Sequence, residues 1–304
     1  MKHRTQRFHL VLVACGILAG LLVQPRGVAA WGTYGHEISG RAAARKLPRE
    51  MPSFFRGAAE QLAYLNGEPD RWRDKTEAAI DPALNAAAAM EHYIHFEHVP
   101  AGALREAHRY NYLKSLQAAG TDAADAGLLP YRILELFQRL RVEFRLWRAA
   151  QKTGDGRTRK WLEQRIINDA GLLGHYVTDG SNPHHTSIHT EGWVGDNPEG
   201  YTTDKSFHGR FEKVYVDSHI KQEDLSPLID DSPHVVADPR AETIDFLKRS
   251  HALVETLYRI EKRATYDEKT LAPENKRFAL ERLAAGALML RDLWWTAWVT
   301  SAPS

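Results

Sequence analysis

The chain has 304 residues, of which 43% are hydrophobic, enough for one sizeable core or two modest ones. Its 40 Lys and Arg nearly balance its 39 Asp and Glu, so no excess charge steers it towards nucleic acid or an anionic membrane. The one cysteine, Cys15, lies in the N-terminal segment. From residue 31 onwards disulfides and thiolate metal sites are therefore excluded, and His, Asp and Glu must hold any metal.

The first 30 residues are typical of a secretory signal peptide. A short basic stretch (1–9) precedes an apolar run (10–23) that is too short for a stable membrane span, and Val28-Ala29-Ala30 supplies small residues for cleavage. We therefore expect cleavage between Ala30 and Trp31 and an exported protein, periplasmic or extracellular. Lipidation of Cys15 is the alternative, and it is disfavoured because the apolar run continues past this cysteine.

The remainder, residues 31–304, predicts a single all-α domain. Apolar residues recur with helical period from Ile133 to Trp147, after Pro130. Strand patterns are weak, and no linker is long enough to separate two domains. Three further helices are predicted over Arg159–Thr178, Thr243–Ala264 and Pro273–Thr300, and two loops over Ser187–Lys205 and Ser226–Arg240.

The strongest chemical motif, His175 to His185, lies at the C-terminal end of the predicted helix Arg159–Thr178. His175 and Asp179 are four residues apart, so they project from one face of a helix. Gly180 and Pro183 then end the helix, and the chain turns back to present His184-His185. Two nitrogens and a carboxylate from one short segment suit zinc, although a His-rich helix end is also found simply exposed to solvent.

Each of the other clusters is, by itself, a weaker indication of metal binding. His208 and Glu212 repeat the spacing of four, which is also common on solvated helix faces. In the segment 91–98, His92 with His95 or Glu97 is a second candidate ligand set. Asp70 follows Pro69 in a short polar connection and by itself predicts a turn or a helix N-cap.

The expected mature N-terminus has the pattern Trp31-Gly-x-x-Gly-His36. A free α-amine titrates near neutrality and ligates metals when deprotonated, so cleavage would place an amine five residues from an imidazole. Without such a role, Trp31 would be an aromatic residue at a loose terminus.

Taken in order, these motifs resemble the superfamily that joins zinc-dependent phospholipase C to the fungal single-strand-specific zinc nucleases. The resemblance covers about 31–212, and the C-terminal third matches only in being helical. It implies an α-helical domain with three zinc ions. By position, the first zinc would be held by Asp70, His92, His175 and Asp179, the second by His185, His208 and Glu212, and the third by the Trp31 amine and carbonyl, His36 and a shared Asp179.

Several placements stay open. His95 is an alternative to His92, and His184 to His185, although the family spacing favours His92 and His185. Glu68 and Asp74 are weaker candidates than Asp70, because Pro69-Asp70 resembles the phospholipase pattern. Asp70 is also the candidate catalytic residue, which would orient or deprotonate the attacking water.

The resemblance implies hydrolysis of phosphodiesters, and the substrate would be a phospholipid or single-stranded nucleic acid. Glu212 and Pro69-Asp70 favour a phospholipase C-like activity, whereas the Trp31–His36 pattern is closer to the endonucleases and 3′-nucleotidases. A nuclease would need aromatic residues for base stacking. Candidates are Tyr34, Tyr64, Trp72, Tyr93, Phe96, Tyr176, Trp193 and Phe207. A non-catalytic zinc-binding protein is the third possibility, and no obligate protein partner is inferred.

Overall fold

The computed structural model describes residues 31–302, so the expected signal peptide lies outside the described residues. Within that range the chain is all-α, as predicted: it has no strand, and its one β-type pairing is an isolated bridge between Ile94 and Gly127. None of the described helices has the length and apolarity that crossing a bilayer requires.

The α-helices are of very unequal length, from three residues to 28, and 3-10 turns connect several of them. They are α1 Thr33–Arg45, α2 Ser53–Arg56, α3 Ala59–Asn66, α4 Glu68–Arg71, α5 Lys75–Ile80, α6 Pro82–Ala89, α7 Arg109–Ala118, α8 Ala123–Ala126, α9 Leu129–Thr153, α10 Gly156–Asp179, α11 Phe207–Gly209, α12 Val216–His219, α13 Gln222–Leu225, α14 Pro239–His251, α15 Val254–Arg263 and α16 Pro273–Thr300.

Helix α10 runs through the centre of the fold. Asp155 caps its start by accepting a hydrogen bond from the Thr158 amide, and Gly180 follows its last residue. Its C-terminal half is buried on all sides because α1, α3, α9 and α16 pack around it. Two glycines permit this packing: a Cβ on Gly171 would lie 2.3 Å from Leu65 Cβ, and one on Gly174 would lie 2.9 Å from Asn66 Oδ1. The last turn of α10 thus enters the core carrying polar side chains.

The predicted helices agree with α9, α10 and α16, but the single helix over Thr243–Ala264 is wrong. The chain forms two helices, α14 and α15, separated by Ala252 and Leu253. Leu253 leaves the helical conformation with ψ near 0°, and its amide bonds back to the Ser250 carbonyl. This turn redirects α15 so that Tyr258 packs against His184 and donates to the His189 carbonyl.

Candidate metal centre

Three groups of donor side chains meet around the end of α10, and each group could hold a metal ion. Within each group the candidate ligand atoms lie within 4.8 Å of one another, and nearly all the side chains are buried. The groups are His36, His175 and Asp179; Asp70, His92 and His175; and His185, His208 and Glu212. Every histidine and carboxylate to which the resemblance assigns a ligand position falls in one of them.

Asp179 connects the first two groups. Its Oδ1 lies 3.3 Å from His36 Nε2, whereas its Oδ2 lies 3.0 Å from His92 Nδ1 and 3.3 Å from His175 Nε2. Burial alone would raise the pKa of Asp179, but the imidazoles of His175 and His185 hold that pKa well below its usual range. The carboxylate is therefore ionised, and its two oxygens face two candidate metal positions, one beside His36 and one beside His92 and His175.

Asp70 lies at the open edge of the centre. By itself the sequence predicted that Asp70 lies in a turn or at a helix N-cap, but it is the third residue of the short helix α4. Its Oδ1 is 3.9 Å from both His92 Nδ1 and His175 Nε2, and these two nitrogens are 2.9 Å apart. The Asp70 side chain is 20% exposed, whereas those of His92 and His175 are buried. Solvent therefore reaches this group through Asp70.

The third group, His185, His208 and Glu212, is compact, with its ligand atoms within 3.7 Å of one another. His208 Nε2 lies 2.7 Å from Glu212 Oε2 and 3.2 Å from His185 Nε2. The spacing of four residues brings His208 and Glu212 together although the helix changes type here, from α11 to a π-helical segment, Arg210–Tyr215. Asn182 donates a hydrogen bond of 3.3 Å to Glu212 Oε2 and so orients this carboxylate.

Hydrogen bonds on the outer side of the rings orient three of the imidazoles. His175 Nδ1 lies 2.8 Å from the Asn66 carbonyl, and His185 Nδ1 lies 2.7 Å from the His92 carbonyl. His36 Nδ1 lies 2.7 Å from Thr178 Oγ1. An imidazole that donates from Nδ1 presents a lone pair at Nε2, and metal-ligating histidines are typically held in this way.

The unpaired atoms inside the centre fit a cation. His36 Nε2 and Asp179 Oδ1 face each other at 3.3 Å, fully buried, and neither makes a hydrogen bond. Burial lowers the pKa of His36 to about 4 and that of His208 to about 4, so these rings are neutral near pH 7. Converging lone pairs are repulsive when nothing lies between them, and a positive ion would satisfy them.

The alternative ligands lie outside the three groups. His184 is fully buried with both ring nitrogens unbonded, and it packs edge-on against Phe207 and Tyr258. His95 Nδ1 bonds the Asp125 carbonyl instead of pointing into the centre. Glu68 is paired with an arginine of α4, and Asp74 caps the start of α5.

Trp31, the first described residue, lies beside the centre and is fully buried, so the expectation of a loose terminus is wrong. Its indole nitrogen donates to the Thr178 carbonyl at 2.9 Å, and the ring packs on Phe211. The amide of Gly32 bonds the carbonyl of Glu212 at 3.3 Å. Whether Trp31 carries a free amine depends on cleavage before it, which falls on residues that the structure does not describe.

Sequence reasoning missed the residues that orient the ligands, namely Asn66, Thr178 and Asn182. Asn66 gave no local pattern, because it meets His175 across 109 residues of chain. Thr178 lies inside the His175–Asp179 motif, so its position next to Asp179 was the available clue. Comparison with known protein families, curated proteins and solved structures finds no match to this chain.

Proposed function

We propose that this chain is an exported zinc-dependent phosphoesterase with three metal ions. The observation that carries the proposal is the convergence of three largely buried donor groups at the end of α10, two of which share His175 and are bridged by Asp179. The proposed ligands are those that the resemblance implies: Asp70, His92, His175 and Asp179; His185, His208 and Glu212; and Trp31, His36 and Asp179.

Zinc fits the donor set better than magnesium or calcium. The groups contain five imidazoles among eight side chains, and imidazole suits zinc, whereas magnesium and calcium prefer oxygen ligands. His36 and His208, whose pKa values burial lowers to about 4, need not lose a proton before they bind. Burial raises the pKa of Glu212 to about 8, so this group would release its proton when a metal binds.

Three zinc ions, when bound, would supply positive charge for the phosphoryl group and lower the pKa of the attacking water. Asp70 is placed to act on that water, because it is the group member that solvent reaches. Its carboxylate would orient the water and accept its proton. The buried carboxylates of Asp179 and Glu212 would balance the charge of the centre without being exposed to substrate.

The segment 71–89, which connects the proposed ligands Asp70 and His92 and is hereafter called the rim, favours a phospholipid substrate. Between the ligands Asp70 and His92, helices α5 and α6 bury no residue completely, and Ile80 and Leu84 are each 70% exposed. The segment 71–89 contains three basic and three acidic residues. An apolar rim without net charge suits a zwitterionic lipid surface better than a polyanion.

Nuclease activity is the second candidate, because exposed aromatic rings lie near Asp70 in the chain. Trp72 is 47% exposed and Tyr64 is 54% exposed, and such rings provide stacking surfaces for bases. The guanidinium of Arg71 covers one face of Tyr64, which leaves Trp72 as the freer ring.

One comparison tests both candidates. The zinc-loaded protein is assayed in parallel on phosphatidylcholine vesicles, single-stranded DNA and a chromogenic phosphodiester. Leu84→Gln should reduce hydrolysis of vesicles but not of the chromogenic ester, and Leu271→Gln, at an exposed position outside the rim, is the matched control. Preferential cleavage of DNA would select the nuclease. Bound zinc without turnover of any substrate would leave a non-catalytic zinc-binding protein.

A further inference from the structure

Thr178 lies in the last turn of α10 between two proposed ligands, yet it belongs to none of the three donor groups. It is fully buried. Its hydroxyl donates to the carbonyls of Gly174 and His175, at 3.0 and 2.9 Å, as threonines inside helices often do.

The same hydroxyl oxygen lies 2.7 Å from His36 Nδ1. A hydroxyl has one proton to give, and helical threonines commonly give it to the carbonyl three or four residues back. We assign the Thr178 proton in this way to the Gly174 and His175 carbonyls, so that the oxygen accepts from His36. His36 therefore carries its proton on Nδ1 and presents a lone pair at Nε2.

The opposite tautomer would place the proton on Nε2, where the available acceptor is Asp179 Oδ1. These two atoms are 3.3 Å apart, but their geometry makes no hydrogen bond, and both are left without a partner. The arrangement thus favours two facing acceptors, which is what a cation position between His36 and Asp179 requires.

We propose that Thr178 is a positioning residue that fixes the tautomer of His36 and thereby creates the metal position shared by His36 and Asp179. The inference rests on the proposed metal centre but not on the reaction that the centre catalyses. The hydroxyl meets His175 only at its backbone carbonyl and touches no side-chain donor atom of the other two groups, so its removal should affect one metal position of three.

The test compares Thr178→Val, which keeps the shape and removes the hydroxyl, with Thr178→Ser, which keeps the hydroxyl. Zinc content is measured by mass spectrometry after equilibration with a graded series of chelator concentrations. Nitrogen NMR of the imidazoles reports the His36 tautomer. Thr243→Val is the control, because the Thr243 hydroxyl is also buried and bonds only its own helix, α14.

In Thr178→Val we expect one zinc to bind about 10- to 100-fold more weakly while the other two are unchanged. Thr178→Ser and Thr243→Val should keep three tight zincs. If Thr178→Val does not fold, Thr178→Ala provides the same loss of the hydroxyl with less bulk. Three equally tight zincs in the Val or Ala variant would overturn the inference, and so would equal loss in the Ser variant.

These outcomes are distinct from a failure of the proposed function. A protein that binds three zincs and loses one in Thr178→Val, but hydrolyses no phosphoester, would contradict the activity and leave the role of Thr178 intact. A wild-type protein that binds no zinc would contradict both.

Discussion

Gly171→Ala tests how closely packing controls the metal centre. The added methyl carbon would lie 2.3 Å from Leu65 Cβ, whereas ordinary carbon contacts are about 3.5–4 Å. Helices α3 and α10 must therefore separate by more than about 1 Å. Asn66 follows Leu65 directly, and its carbonyl holds His175 Nδ1 at 2.8 Å. Gly171→Ala should therefore displace the proposed ligand His175, although Gly171 is not itself a ligand.

The expected loss of stability follows from two opposing effects. Overpacking of this kind costs about 3 kcal/mol, and replacing a helical glycine by alanine returns about 1 kcal/mol. The net destabilisation of about 2 kcal/mol corresponds to a Tm lower by about 4–8 °C for a domain of this size. Zinc affinity should fall as well, because the bond between His175 and Asn66 lengthens.

Urea denaturation, thermal melting and zinc titration measure these effects. Gly156→Ala is the matched control on the same helix, because a Cβ there meets no atom within 4 Å. It should be as stable as the wild type or slightly more stable. A destabilisation of 1 kcal/mol lowers the Tm of a domain of this size by about 2–4 °C. If Gly171→Ala melts within about 1 °C of Gly156→Ala and binds zinc equally well, the packing argument is refuted.

Three further predictions concern chemistry and pH. Asp70→Asn should lower turnover about 100-fold or more, and full activity with zinc retained would refute the role of Asp70. Removal of bound zinc with a chelator should lower the Tm, and zinc added at about 1,000 times its Kd should raise the free energy of unfolding by about 4 kcal/mol. A Tm that does not change on chelation would argue against a structural role for the metal. Burial and the nearby charge of Asp169 raise the pKa of Glu143 to about 7 from 4.5, so ionisation costs stability as pH rises through this range. Relative to the wild type, Glu143→Gln should therefore gain stability from pH 5 to pH 8 in urea denaturation, and a pH-independent difference would contradict this.

The sequence predicted α9, α10 and α16 and the juxtaposition of His175 with Asp179 because these features depend on local spacing. His175 and Asp179 needed only a helix to bring them together, and Gly180 with Pro183 marked its end. The apolar period likewise identified α9, although its first residue is Leu129, one before the proline.

What the sequence could not predict depends on contacts between distant segments. The break at Ala252 has no proline or glycine to mark it, and it accompanies the packing of Tyr258 on His184, a contact between distant segments. The resemblance favoured His185 over His184, but the physical reason lies in the tertiary fold, since His184 occupies an aromatic pocket while His185 faces His208.

The backbone between His92 and Ile94 links two of the donor groups mechanically. The carbonyl of His92 accepts from His185 Nδ1, and the amide of Ile94 donates to the His185 carbonyl at 2.8 Å. A ligand of one group thus holds the main chain that carries a ligand of another. An ion that orders one of these two groups lowers the entropy cost of ordering the other, so these two positions should fill cooperatively. When they are half saturated, native mass spectrometry should find few molecules in which only one of the two is filled.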